Sequence, residues 1–358
     1  MALRIVVKSA PQPEIADFAE AARESGFELW GVAPAHPLDA FDFYQGWAEA
    51  GLAGPMNYLT DHRAALREDP RQLLASARSI LCVGKLYNTG ERPPEPGQGR
   101  VSNYAWGSED YHDVLRRGLE RMIVRLRQKW GDFDARIAID TAPLLERAYA
   151  RAAGLGWIGK NTCLINEPAG SWFFLGEALV SVELTPGAPP PGRCGSCRRC
   201  IDACPTAALI PGPGAPGPDW QLDASLCIST LTIEQRGPIQ EELRPALGAH
   251  LFGCDICQQV CPWNRRAPVS LEPGFQPVNA TPELEELAAM TPEAFRARFR
   301  RTPLWRAKYQ GLLRNAAVAL GNTGGPASRA VLERLAGCGD AVVEEHARWG
   351  LGRLEGNA

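Results

Sequence analysis

The arrangement of its cysteines limits this chain more than any other feature. Four of the 11 form the run Cys194-x2-Cys197-x2-Cys200-x3-Cys204-Pro205. That spacing lets a short loop wrap a 4Fe–4S cube: the first three thiolates reach three irons of one cluster and the fourth reaches across to a second. A partial copy follows, Cys254-x2-Cys257-x3-Cys261-Pro262, one cysteine short, and Cys227 is the nearby residue able to complete it. Pseudo-symmetry assigns Cys194, Cys197, Cys200 and Cys261 to one cluster, and Cys204, Cys227, Cys254 and Cys257 to the other. Structural zinc also uses paired C-x2-C units, but it does not account for an x2-x2-x3-Pro run that occurs nearly twice. Cys82, Cys163 and Cys338 are left over; Cys82 falls in an apolar run, where packing is its expected role.

Met1–Ala22 lacks the long apolar stretch and small-residue cleavage site of a secretory leader. No apolar run approaches the roughly 20 residues that span a bilayer. A cytoplasmic protein without membrane association is therefore expected, and in that compartment dense cysteines serve metals or redox chemistry, not disulfides. The chain has 358 residues, 45% hydrophobic and 22% charged, which excludes wholesale disorder.

A net charge of −3 excludes a generic polyanion binder, so contact with nucleic acid requires a local patch. One is present. Arg296, Arg298, Arg300, Arg301, Arg306, Lys308 and Arg314 fall within 19 residues that contain no acid. The interleaved Phe299, Trp305 and Tyr309 could stack on unpaired bases. The alternative is a solvated helix face with the aromatics turned into the core.

The periodicities predict an α+β chain. Helices are expected over Ile15–Glu24, Arg71–Ala77, Tyr111–Lys129 and Leu144–Ala153, and strands over Ser79–Leu86, Arg136–Ile139 and part of Trp172–Leu184. Pro186–Gly192 reads as a stiff linker and Pro211–Pro218 as a structureless excursion. Beyond about residue 270 the chain reads as helical. Ala316–Gly321 and Ala347–Gly352 hint at a repeat of the two-helix HEAT type, the alternative being two unrelated amphipathic helices.

Two motifs are deceptive. Gly154-Leu-Gly156-Trp-Ile-Gly159 matches G-x-G-x-x-G, but a dinucleotide site needs these glycines after a strand and at a helix start. Here they follow a helix, and Gly154 reads as the residue just past its C-terminus. Asp110-x-His112 approaches a cobalamin-ligand motif but lacks its glycine and opens a helix, so His112 reads as structural.

Two clusters carry single electrons, so the preceding domain either passes electrons on or holds a second cofactor that does the organic chemistry. At this point several motifs, in order, closely resemble epoxyqueuosine reductases. They are Asp140-Thr-Ala-Pro-Leu-Leu-Glu-Arg-Ala-Tyr-Ala, Gly154-Leu-Gly-Trp-Ile-Gly-Lys-Asn161, Gly170-Ser-Trp-Phe-Phe-Leu-Gly-Glu177, Cys227-Ile-Ser-Thr-Leu-Thr-Ile-Glu234 and Gly253-Cys-Asp-Ile-Cys-Gln-Gln-Val-Cys-Pro-Trp-Asn264, with Tyr111-His112 and Arg314–Gly321 besides. The resemblance implies an N-terminal cobalamin-binding α/β domain like that of reductive dehalogenases over residues 1–185. A ferredoxin-like module with two 4Fe–4S clusters would follow over 186–270, and an α-helical HEAT-like domain over 271–358.

The implied reaction reduces epoxyqueuosine to queuosine at the wobble position of tRNA. It uses base-off cobalamin, an external low-potential electron donor and the tRNA anticodon loop, in a monomeric enzyme. The resemblance makes Asp140 the general acid, and burial beside an apolar corrin would raise its pKa and keep it protonated. Its position before Thr141-Ala-Pro143 also suits a helix N-cap. Arg67, Ser102, Asp140, Leu164, Leu175, Ser229 and Asp255 are the implied cobalamin contacts. Two other readings stand beside this one: a reductive-dehalogenase-like cobalamin enzyme, and a non-catalytic ferredoxin-type electron carrier.

Overall fold

A computed structural model describes residues 13–215, 217–324 and 328–356. Its centre is a four-stranded antiparallel sheet in the order β1-β2-β7-β4, formed by β1 (Leu29–Pro34), β2 (Ser79–Leu86), β7 (Phe173–Val180) and β4 (Ala135–Ala138). β2 is buried along its whole length, as a run rich in Ile, Leu and Val predicts. One face packs on α1 (Ile15–Glu24) and α3 (Tyr111–Trp130), where Leu115, Leu119, Met122 and Leu126 meet Leu81, Val83 and Ala178. The apolar residues of α3 recur at helical spacing, Asp110 caps its start by accepting the His112 N–H at 3.0 Å, and Gly131 ends it at φ +84°. The opposite face packs on α4 (Glu146–Ala152), with Ile80, Cys82, Ala138 and Leu179 against Tyr149 and Ala150.

Several expectations shift. The stretch 71–77 is a 3-10 turn at Pro70–Gln72 followed by turns, because Pro70 and the Asp69 side chain set a tight bend. α4 starts two residues later than expected, so neither Asp140 nor Thr141 caps it; the residue before it is Leu145. Pro186–Gly192 is no free linker, since the Gly187 N–H donates to Val32 O at 2.8 Å. The excursion at 211–218 is the loop of a hairpin between β8 (Leu209–Pro211) and β9 (Trp220–Leu222), with Pro216 outside the described residues. Gly154 does end α4, at φ +87°, and the chain then turns into the short hairpin β5 (Trp157–Ile158) and β6 (Leu164–Ile165).

The C-terminal helices include α8 (Leu284–Ala288), α9 (Pro292–Phe299), α10 (Lys308–Thr323), α11 (Ser328–Leu335) and α12 (Ala341–Gly356). α10 and α12 cross where both carry small residues: a Cβ on Gly321 would stand 2.6 Å from Gly350 Cα. The two similar stretches are thus the two sides of one helix crossing. This core also takes Val101, Ala105, Trp106, Leu251 and Phe252 from earlier in the chain. β3 (Arg100–Val101) and β10 (His250–Phe252) lie parallel within it, so the three segments share apolar packing.

Candidate active site

The cysteine-rich stretch folds as two similar loops. Each contains a one-turn helix, α5 (Arg199–Asp202) or α7 (Ile256–Gln259), and each ends in Cys-Pro. None of the eleven cysteines forms a disulfide. The structure brings Cys200 and Cys261 into electrostatic reach of Cys194. It likewise brings Cys227 and Cys254 near Cys204, and Cys257 near Cys254 and Cys227. Cys197 also lies near Cys261, and the leftover Cys163 stands against Cys257.

Burial, and then neighbouring thiolates, push Cys200 up to about 11. Burial pushes Cys254 up to about 12. Without a cation, then, this is an unfavourable place for thiolates, and an iron cluster supplies the missing positive charge. Cys227 precedes α6 (Ile228–Ile233), and the backbone of Ser229 and Thr230 opposes the rise that burial imposes on its thiol. A further donor is unclaimed. Trp157 is 2% exposed, packs with Cys261 and Cys194, and its buried indole N–H has no partner among the described residues. A cluster sulfur is an acceptor suited to it.

The Gly154–Asn161 element binds both cluster loops. Lys160 Nζ donates to Gly195 O at 2.6 Å and to Cys197 O at 3.2 Å, while Asn161 donates to Cys257 O at 3.3 Å. Its glycines are needed for close approach: a Cβ on Gly156 would stand 2.2 Å from Ile165 O. Gln258 and Asn264 tie the second cluster loop to Ser171.

Asp140 follows β4 in a loop, with φ at +46°, a conformation uncommon for a non-glycine residue. Its N–H donates to Glu146. Its Oδ2 lies 3.3 Å from His112 Nε2 and 3.8 Å from an Arg306 nitrogen. His112 Nδ1 bonds Asp110 at 2.6 Å. Burial alone would lower the His112 pKa, but its bonds to Asp110 and Asp140 hold it up, at about 9. Asp140 is correspondingly lowered: burial raises it, but His112 and Arg306 outweigh burial. The expectation of a raised Asp140 pKa is thus corrected, because the protein itself surrounds this carboxylate with two cations. His112, read from the sequence as structural, stands between Asp110 and Asp140.

Arg306 comes from the C-terminal segment. Its Nε bonds Glu234 at 2.6 Å and its guanidinium lies over the Tyr58 ring at 5.3 Å. Arg67, 6% exposed, donates to Tyr58 O and Arg63 O, so it belongs to the same wall. Ser102 and Asp255 are buried and bond each other, and the Asn103 N–H also donates to Asp255 at 2.7 Å. The polar atom left free there is Asn103 Oδ1, buried and without a partner among the described residues. Leu164 and Leu175 pack with the α4-side core, and Ser229 lies in the first turn of α6.

The basic patch is smaller than its sequence. Arg314 is 1% exposed and donates to the carbonyls of Leu231, Gln235 and Gly237. Phe299 is fully buried, Trp305 stacks on Phe295 at 5.3 Å, and the Tyr309 hydroxyl donates to Met290 O. The aromatics therefore build the core and do not await bases. Arg296, Arg300, Arg301 and Lys308 remain exposed. Among the described residues no helix is long and apolar enough to cross a membrane.

Comparison with known proteins agrees with this geometry. Residues 193–264 match a family described as a 4Fe-4S double cluster binding domain, and residues 67–141 match one described as epoxyqueuosine reductase QueG, DUF1730. The chain is 41% identical to the epoxyqueuosine reductase of Pseudomonas aeruginosa, covering 92% of each, and 36% identical to that of Escherichia coli, covering 92% of this chain and 86% of the relative. A crystal structure of epoxyqueuosine reductase with an epoxyqueuosine-modified tRNA stem loop superposes at a TM-score of 0.86, with 30% identity, covering 95% of this chain and 89% of that one. A Bacillus subtilis structure, described as having its catalytic aspartate loop swung out of the active site, superposes at 0.85 with 29% identity, covering 95% and 90%. The chain belongs to the epoxyqueuosine reductase family, and its cysteine-rich segment is a double iron–sulfur cluster domain.

Proposed function

We propose that this protein reduces the epoxide of epoxyqueuosine in tRNA to the alkene of queuosine, with Asp140 as proton donor. The observation that carries the reading is the Asp140 carboxylate, held between His112 and Arg306 beside a domain built for two iron–sulfur clusters. Removing an epoxide oxygen as water takes two electrons and two protons. The clusters supply electrons singly, passed from an external low-potential donor. An alkoxide is a poor leaving group near neutral pH, so the oxygen needs a proton at the moment it departs. His112, protonated with a pKa of about 9, keeps a proton at Asp140 Oδ2, and Asp140 passes it on.

The ligand sets are Cys194, Cys197, Cys200 and Cys261 for one cluster, and Cys204, Cys227, Cys254 and Cys257 for the other. Cobalamin, when bound, supplies a metal centre that takes up single electrons and delivers a pair to carbon. Asn103, with its unclaimed amide oxygen beside Ser102 and Asp255, suits the amide side chains of a corrin. With Arg67, Leu164, Leu175 and Ser229 it makes the candidate wall. The working units are residues 1–185 for the corrin, 186–270 for the clusters and 271–358 for helical support and RNA contact. Arg296, Arg300, Arg301 and Lys308 meet the phosphates of the tRNA anticodon stem loop. The lack of any disulfide among the eleven cysteines suits a reducing cytoplasm.

The test is anaerobic incubation with cobalamin, a reductant and epoxyqueuosine-containing tRNA, followed by nucleoside analysis. Wild-type protein converts the nucleoside. D140A keeps its iron and its base-off cobalamin spectrum yet loses turnover by about 100-fold or more. Near-normal conversion by D140A removes the proton-donor role, and absence of corrin binding favours a plain electron carrier.

A further inference from the structure

β7 is apolar apart from one residue. Glu177 is 0% exposed, and neither carboxylate oxygen has a hydrogen-bond partner among the described residues. It pairs across the sheet with Cys82 on β2 and Ala138 on β4. Its carboxyl meets that of Glu146, the first residue of α4. Glu146 in turn accepts the N–H of Asp140. The other ionisable groups facing the pair are Cys82 from β2, Tyr111 from α3, Asp140 from the loop after β4 and Arg147 from α4. Arg147 turns its guanidinium to Thr162 O, and burial keeps the Cys82 thiol neutral.

Two ionised carboxylates in contact have acceptors only and no donor between them. One proton removes the conflict, turning one carboxyl into the donor the other lacks. We propose that Glu146 and Glu177 share a single proton, and that this acid pair positions Asp140 through the Asp140 N–H bond to Glu146. The positioning half rests on the reading of Asp140 as proton donor; the shared proton does not. Burial, then the charge of Asp140, raises Glu146, and burial followed by Glu146 lifts Glu177 well above the carboxylate range. The left-handed backbone at Asp140 needs an anchor, and the Glu146 carboxyl is one. Once both acids ionise, mutual repulsion moves Glu146 off the Asp140 N–H and releases the loop.

Infrared spectra of the intact protein test the first half. Wild type at pH 7 shows the carbonyl stretch of a buried protonated carboxyl. E177Q, whose amide donates permanently, lacks that band, and identical spectra from the two proteins overturn the proposal. Turnover against pH, with saturating epoxyqueuosine tRNA, tests the second half. Wild type loses kcat on the alkaline side of neutrality while KM holds, and in E177Q that loss is confined to the deprotonation of His112, near 9. A rate lowered equally at every pH is the mark of a merely structural role and overturns the positioning. E146L, lacking the acceptor, lowers kcat about tenfold or more; E146L with wild-type kcat also overturns it. D140N keeps the infrared band, so normal turnover by D140N defeats the proton-donor reading while the band still judges the shared proton.

Discussion

Arg306 stands 3.8 Å from Asp140 while binding Glu234 at 2.6 Å, so one guanidinium from the C-terminal segment serves two anions of earlier domains. The fork geometry of arginine allows this, since separate N–H groups face each acid. The 3-10 turn Pro303–Ala307 of the C-terminal segment thereby reaches a loop that belongs to the first sheet.

R306A strands Glu234, whose side chain is only 14% exposed, and removes one cation from Asp140. The expected result is a loss of about 1–3 kcal/mol in stability together with a turnover loss larger than that of R301A. Thermal melts and single-turnover rates check this. Equal rates for R306A and R301A count against the contact with Asp140.

His112 gives a signed pH dependence. Its folded pKa, about 9, lies above the unfolded 6.5, so its contribution is fully present below pH 6.5 and is lost as pH rises through 9. Asp140 is lowered, and its share is lost instead as pH falls below the usual carboxylate range. The His112 term is at most about 3 kcal/mol. H112Q should flatten the stability profile between pH 6.5 and 9, measured by denaturant titration.

Iron content separates the two foursomes. C227S should retain about four of roughly eight irons per chain, whereas C338S, at an exposed position, should retain all of them. Loss of every iron from C227S would mean that the clusters do not assemble independently.

Arg314 and Arg300 divide structure from recognition. R314A removes a buried cation and frees three backbone carbonyls, which costs about 3–5 kcal/mol. The double variant R300A/R301A should melt within about 0.5 kcal/mol of wild type. Its affinity for tRNA should fall, with the slope against log salt shrinking by about 0.7–0.9 per lost phosphate contact. Filter binding across a salt series measures it.

Much of this was legible beforehand. The cysteine spacing carries its own geometry, so a double-cluster segment is legible from the chain alone, and the 3.6 period of α3 and the apolar run of β2 place the sheet and its covering helix. The Asp140 environment was not legible, because His112, Glu146 and Arg306 reach it from three separate elements and nothing local marks their convergence. Glu177 did leave a signal, one acid in an otherwise apolar strand. Arg314 misled because sequence counts charges without showing which are buried.

Asp255 lies between Cys254 and Cys257, yet its carboxylate grips the Ser102–Asn103 turn. If that turn lines the proposed corrin site, a knot that fastens a metal-binding loop to it makes the two occupancies interdependent. Iron loss through oxygen damage would slacken the turn, and vitamin affinity would drop with it. By thermodynamic reciprocity, a seated corrin would shelter its iron from chelators to the same degree.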